Sequence, residues 1–145
     1  MQSKLLQINK RGQRADFDWL SALETILARK FKILARGQQI ISLALVSKSE
    51  IRRLNRVYRH QNKITDVLSF NIDSQEILGE VVICLEIAKK QAQDKRETIS
   101  SELKLLTIHG ILHLLGYDHQ LGLKHAKQQS RLEEEVLNLL KQKIN

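Results

Sequence analysis

The spacing of apolar residues predicts short strands alternating with amphipathic helices along this 145-residue chain. The run at 40–46 is short, apolar and β-branched at its start, which favours a strand. The apolar run at 80–85 has the composition of a strand buried on both faces. Further strands are predicted at 4–9 and 65–70, and helices at 16–37, after Ser47 or Ser49, at 87–98, after Ser100 or Ser101, and at 121–144.

The helix predicted after Ser100 or Ser101 has apolar residues around nearly its whole circumference, so it should run through the core. His109 and His113 are four residues apart in it and therefore project from one face. Gly116 can end the helix because glycine takes the left-handed conformation without a Cβ penalty. His119 can then return to the same point. Three converging imidazoles with one open position are what a catalytic zinc site requires.

This spacing, H-x3-H-x2-G-x2-H, is that of the metzincin zinc site, but one residue departs from it. Metalloproteases carry a glutamate directly after the first histidine as the general base, and here that position is Gly110. The nearest carboxylate is that of Asp118, beside His119, with a residue that supports a metal ligand or a turn residue as the alternatives to a base. Ligand type favours zinc but leaves nickel, copper and iron open. Two histidines hydrogen-bonded in the core, without a metal, are the alternative interpretation.

The charge of the chain indicates a polyanionic partner. The net charge of +8 and the isoelectric point near 9.8 are typical of nucleic-acid binding, with a solvated basic surface as the alternative. At about 100° per residue, Arg52, Arg56, Arg59 and Lys63 fall in a narrow sector of one predicted helix, without interleaved acids. Because aromatic residues are only 4% of the chain, we expect contacts mainly to phosphate.

The remaining composition predicts a single domain, 1–145, in the cytoplasm. The sequence has no Pro/Gly/Ser-rich linker, no apolar run of the roughly 18 residues that a membrane helix needs, and no signal-peptide pattern. The lone Cys84 favours a reducing compartment over a disulfide framework. Since Cys84 lies inside an apolar run, we interpret it as a buried structural thiol.

Several segments together resemble the bacterial YbeY family of endoribonucleases and rRNA maturation factors. The stretch 109–119 looks like the family signature, and 54–59, 65–70 and 78–84 resemble its other blocks in the expected order. The resemblance runs from about the second helix to His119, and the rest is similar only in pattern. The sequence departs from the family where Asn62 replaces the usual aspartate, and where Ile64 and Asn71 replace common prolines.

The resemblance implies an α+β fold with a small mixed four-stranded sheet and about five helices. It also implies one zinc ion held by His109, His113 and His119, with Arg59 as the functional arginine facing the same cleft. The implied activity is metal-dependent cleavage of single-stranded RNA in 16S rRNA 3′-end maturation and ribosome quality control. The implied partners are rRNA of the small ribosomal subunit and ribosome-associated proteins, with the oligomeric state left open.

These expectations lead to one mechanism and two rivals. Arg59 would neutralise charge on the phosphoryl oxygens while Arg52, Arg56 and Lys63 hold the RNA backbone. Zinc would bind a water or polarise the scissile phosphate. The 2′-hydroxyl of RNA would attack, with zinc hydroxide or a water taking its proton, and leave a cyclic phosphate. The first rival is a ribosome assembly or RNA-binding factor with a structural zinc and little nuclease activity. The second is a metalloprotease, which Gly110 disfavours.

Overall fold

The computed structural model describes residues 5–35, 39–117 and 122–144. Within these ranges the chain forms four strands and six helices, so the predicted α+β class is confirmed and one helix is added. The added helix is a single turn, α2. The elements are β1 (Leu6–Asn9), α1 (Leu20–Lys30), α2 (Lys32–Ala35), β2 (Ile40–Val46), α3 (Lys48–Arg59), β3 (Val67–Asn71), β4 (Ile77–Cys84), α4 (Leu85–Lys95), α5 (Ile99–Leu114) and α6 (Leu123–Ile144).

The strands form one mixed sheet in the order β1-β2-β4-β3. Strands β1, β2 and β4 are parallel, and β3 pairs with β4 in the antiparallel direction. This is the mixed four-stranded sheet that the family resemblance implied. Strand β3 therefore lies at one edge of the sheet, where its outer side has no strand partner among the described residues.

Helices cover both faces of the sheet. Along β4, Val81 and Ile83 point into a large core shared with α1, α5 and α6, whereas Val82 and Cys84 point into a smaller cluster with α3. Burial on both faces explains why the sequence is continuously apolar here. It follows that α3 and α5 lie on opposite faces of the sheet.

Two predicted helix caps are wrong, and one is confirmed. Asp16 does not cap α1, which begins at Leu20; its side chain accepts a bond from the backbone of Asp18 instead and forms a turn before the helix. Helix α5 is capped by Thr98, not by the serines that follow it. Ser47 caps α3 as predicted, accepting the backbone N–H of Glu50 at 3.2 Å.

The predicted first helix is interrupted before its expected end. Phe31 has an extended backbone, with φ −120° and ψ 113°, which separates α1 from α2. Gly37, the predicted stop, lies outside the described residues. Strand β4 ends one residue earlier than predicted, because Leu85 already begins α4.

Helix α5 lies unusually close to the sheet at Gly110. A Cβ atom there would be 2.5 Å from Val81 Cγ1 and 2.9 Å from Ser69 Oγ. Ser69 Oγ donates a hydrogen bond of 3.0 Å to the Gly110 carbonyl. On the facing strand, a Cβ atom at Gly79 would be 2.7 Å from Leu114 Cδ2. The two glycines let the helix backbone approach β3 and β4 more closely than any side chain would allow.

Gly110→Ala should therefore destabilise the protein although alanine is the better helix former. Overpacking costs about 1–3 kcal/mol, partly offset by about 1 kcal/mol of helix propensity. We expect a lower free energy of unfolding in denaturant, and a smaller loss when Val81→Ala has already removed the obstructing methyl groups. An equal loss in both backgrounds would contradict the contact.

Candidate functional site

His109 and His113 project from one side of α5, about 100° around the helix from the side on which Gly110 and Leu114 face the sheet. Their rings are nearly parallel, with an interplanar angle of 11° and centroids 6.4 Å apart. Both side chains are half-buried. The predicted one-turn pair is therefore present, and its two imidazoles can contribute to one metal site.

Glu133, on α6, contacts the first of these histidines. Its Oε1 atom accepts a hydrogen bond from His109 Nδ1, because an ionised carboxylate can only accept. Gln129, which is 2% exposed, donates to the same oxygen at 3.4 Å. A proton on Nδ1 leaves the lone pair of His109 on Nε2, the form in which a histidine ligates a metal. A carboxylate behind a ligating histidine is the usual arrangement in zinc sites.

The third predicted ligand, His119, lies outside the described residues, as does Asp118. Within the described ranges no group of three or more His, Cys, Asp or Glu side chains is placed to hold a metal ion. The described part of the donor set, two imidazoles one turn apart with a carboxylate behind one of them, fits zinc by its chemistry. The complete three-histidine site stays a prediction.

The missing protease base now has a structural explanation. Gly110 faces Val81 and Ser69 on the sheet, not the side on which the histidines lie. A glutamate at this position would collide with the sheet. The helix packing therefore excludes the general base that a metalloprotease carries after its first histidine.

A cleft of about 330 Å³ opens beside His109. Its walls come from the start of β3, from α4, α5 and α6, and Glu133 is among them. The remaining lining residues are Asp66, Val67, Gln91, Asp94, Lys95, Glu102, Leu105 and Leu106. Four of the ten lining side chains are carboxylates and one is a lysine, so the wall of this cleft is acidic and does not itself attract a polyanion.

A basic surface lies on α3. Arg52, Arg56 and Arg59 are exposed there, and none of the three forms an ion pair with any described residue. Arg53 differs from them, because it binds Glu50 at 2.6 Å and lowers the pKa of that carboxyl. Arg52 Nε donates a hydrogen bond of 2.9 Å to the uncharged Asn62 Oδ1, so the charges of all three arginines remain available to a polyanion.

Lys63 is not on this helix, contrary to the prediction. Helix α3 ends at Arg59, since His60 takes a left-handed conformation with φ 56°. The following loop folds back along the helix, where Asn55 Nδ2 donates to the Lys63 carbonyl at 3.0 Å. The lysine is thus held beside the arginines by the loop and not by helical periodicity.

The arginine surface and the histidine pair lie on opposite faces of the sheet, and edge strand β3 connects them. On one face, the ring of Tyr58 stacks on Phe70, with centroids 4.5 Å apart and an angle of 7°. On the other face, Asn71 Nδ2 donates to the Leu114 carbonyl at 3.2 Å, next to His113. The described lining of the cleft does not include Arg59, so its predicted position in that cleft stays a prediction.

Comparisons with known proteins agree on one family. The sequence model of a family described as "Endoribonuclease YbeY" matches residues 7–141. The chain belongs to this endoribonuclease family. The structure of this family member resembles the solution structure of TM1509 from Thermotoga maritima, with a TM-score of 0.64, 30% identity, and coverage of 93% of this chain and 88% of that one.

Curated relatives support the assignment over most of their length. The chain is similar to the endoribonuclease YbeY of Ruthia magnifica, with 41% identity over 79% of this chain and 82% of the relative. It is also similar to that of Aquifex aeolicus, with 36% identity over 94% and 90% of the two chains. The resemblance seen in the sequence blocks is confirmed, and an endoribonuclease acts on RNA.

Two further observations concern Cys84 and membranes. Burial raises the pKa of the Cys84 thiol, which is fully enclosed, so the prediction of a buried structural thiol is confirmed. Among the described helices, none has the length and apolar character that a membrane span requires.

Sequence reasoning missed Glu133 and the stacked ring pair. Glu133 sits in a polar stretch, Glu133–Glu135, in which the sequence does not mark one acid as special. Its signal is helical spacing, because Glu133 is one turn from buried Gln129 and three residues before buried Val136. The stack joins residues on different elements, and no local pattern encodes it.

The cleft wall also yields a stability prediction. Glu102 is 1% exposed and both of its oxygens accept bonds of 2.9 Å from Lys95 Nζ. Lys95→Ala would leave a buried carboxylate without its cation and should cost about 1–3 kcal/mol, less than for a fully enclosed pair because the lysine is 44% exposed.

Lys90→Ala is the matched control. Lys90 lies on the same helix, but its 3.9 Å pair with Asp94 is exposed and should be worth about 0.5 kcal/mol or less. Chemical denaturation of both variants makes the comparison. Equal losses would show that Glu102 does not depend on Lys95.

Proposed function

We propose that the chain is a zinc-dependent endoribonuclease, specific for single-stranded RNA, that matures the 3′ end of 16S rRNA and serves ribosome quality control. The observation that carries the metal dependence is the contact of Glu133 with His109. A carboxylate that holds Nδ1 of a half-buried histidine is well suited to orient a metal ligand. The rRNA role is supported by family membership and by the family blocks in the sequence.

In this proposal His109, His113 and His119 hold one zinc ion. When bound there, zinc would act as a Lewis acid on the scissile phosphate. Glu133 keeps the His109 ring in the required tautomer and orientation. Gly110 contributes no base, so the 2′-hydroxyl of the RNA is the proposed nucleophile. Its oxygen attacks the phosphorus while a water takes its proton, and the 5′-oxygen of the next nucleotide leaves and is protonated from water. The expected product is a 2′,3′-cyclic phosphate.

The basic residues of α3 and of the loop that follows it bind the phosphate backbone. Arg59 neutralises negative charge that develops on the phosphoryl oxygens, and Arg52, Arg56 and Lys63 bind flanking phosphates. The RNA strand must pass over β3 to reach the histidines from this basic surface. The stacking of Tyr58 on Phe70 and the hydrogen bond from Asn71 to the Leu114 carbonyl support this route, because they join the last turn of α3 and the last turn of α5 to adjacent residues of β3.

The proposal includes the cytoplasm as location and the small ribosomal subunit, with its associated proteins, as partner. The single cysteine of the sequence, Cys84, supports a reducing compartment. The net charge of +8 supports binding to a large polyanion such as rRNA.

The enzyme is tested with stringently purified wild type and its His113→Ala variant on fragments of 16S rRNA. Wild type should contain one zinc ion and cut single-stranded but not duplex segments, leaving a cyclic phosphate. His113→Ala should lose the metal and the activity. Arg59→Ala should keep the zinc and lose about a hundredfold in rate.

Three results would contradict this scheme separately. Equal cleavage by wild type and His113→Ala would show a contaminating nuclease. A folded zinc protein that binds rRNA without cutting it would favour an assembly factor with structural zinc. A 5′-phosphate product would exclude attack by the 2′-hydroxyl.

The role of Glu133 has its own test. Glu133→Ala should weaken zinc binding by about 10- to 100-fold, because the His109 ring loses its orienting carboxylate. Competition with a chelator of known affinity measures this without an activity assay. Glu134→Ala is the matched control, since Glu134 is the next residue along the helix and its side chain is exposed. Unchanged zinc affinity in Glu133→Ala would remove the supporting observation.

A further inference from the structure

The Tyr58–Phe70 stack presents one flat aromatic face to solvent. The rings lie almost parallel, at 7° with centroids 4.5 Å apart, so Phe70 covers one side of the tyrosine. Phe70 itself packs against the apolar cluster between α3 and the sheet. Tyr58 nevertheless remains 56% exposed. It is therefore a ring that is supported on one side and open on the other.

Such a ring is suited to stacking with a nucleobase. Every base has a π-face, so base–aromatic stacking is tolerant of sequence. Because Phe70 already holds the tyrosine, little side-chain entropy remains to be lost on binding. A base that stacks on a protein ring must leave its own helical stack, which is how proteins recognise single-stranded RNA.

The surroundings of the ring favour RNA over an apolar partner. Arg59 is the next residue along the chain, and no described acid forms an ion pair with it, whereas Arg56 lies about 200° around the helix from the ring. The phosphate of a base bound at Tyr58 would thus lie within reach of the Arg59 side chain. An acidic cleft wall, by contrast, begins on the other side of β3.

We propose that the outer face of Tyr58 is a binding site for one unpaired base of the RNA strand. This rests on the proposed function only in that RNA is the substrate, and it gives the single-strand preference a physical cause. The site lies on the α3 face of the sheet, whereas the histidines of the proposed zinc site are on the helix that packs on the other face. Strand β3 separates the two, with Phe70 facing Tyr58 and the next residue, Asn71, bonded to the helix of the histidines.

The test uses the full 145-residue chain and a short single-stranded RNA oligonucleotide. Methylation of each 2′-hydroxyl keeps the probe from being cut by its own hydroxyl, and one 2-aminopurine base reports stacking by loss of fluorescence. Wild type should quench this base on binding. That measurement needs no variant and so does not depend on whether a substitution folds.

Variants then separate stacking from charge. Tyr58→Leu, which keeps apolar cover on Phe70, should weaken binding by about 10- to 100-fold and abolish quenching, while Tyr58→Trp should retain both. The slope of affinity against salt should not change in Tyr58→Leu. In Arg56→Ala the slope should fall by about one, as for the loss of one phosphate contact.

Two exposed apolar neighbours serve as matched controls. Val57 is 52% exposed and Ile64 is 42% exposed, but neither has a flat ring, so Val57→Ala and Ile64→Ala should bind the probe like wild type. Equal weakening in all three positions without quenching would indicate an apolar docking surface for a protein and overturn the proposal.

Failure of this inference differs from failure of the proposed function. If Tyr58→Leu binds the probe as wild type does, or if bound wild type quenches no 2-aminopurine position, the base site is wrong while cleavage of 16S rRNA fragments can still stand. If wild type cuts no RNA yet stacks the base normally, the enzyme assignment fails and the base site stands.

Discussion

The structure depends on the close approach of α5 to the sheet. This helix must bury one side against β3 and β4 and still present His109 and His113 on another. Both demands are met because Gly110 and Leu114 face the sheet, about 100° around the helix from the histidines. A shift of the helix by one residue would turn an imidazole into the sheet, where it would lack a partner. The absence of a side chain at residue 110 thus fixes the rotation of the helix that carries the site.

Much of this arrangement could be predicted because it is encoded locally. The strand at 40–46 was predicted with the bounds it has in the structure, since a continuous apolar run between polar residues has few other interpretations. The histidine pair depends only on helical spacing, so it could be predicted equally well. Helix starts were harder to predict. At α5 a threonine and two serines could each cap the helix, and their order along the chain does not determine which hydroxyl accepts the backbone N–H.

Features that join distant segments could not be predicted from the sequence. Lys63 had the right helical angle, but the helix ended before it, and a loop brought it back by hydrogen bonds that no periodicity encodes. Glu133 became distinct from its acidic neighbours only once α6 was placed against α5. Gly110 looked like a missing base in the sequence, whereas the structure shows a packing requirement. Its meaning changed because the residues that it faces are about thirty and forty positions away.

The topology of the sheet also bears on how the protein folds and opens. Strands β3 and β4 are joined by the short segment 72–76 and pair as a local hairpin, and α5 packs on both. Closing such a short loop costs little chain entropy, whereas the parallel pairing of β1 with β2 has to bridge an intervening helix pair. The segments that carry the histidines and the stacked rings therefore belong to the sequence-local half of the fold. Local unfolding that begins at the β1 edge can be confined to that edge and leave this half assembled.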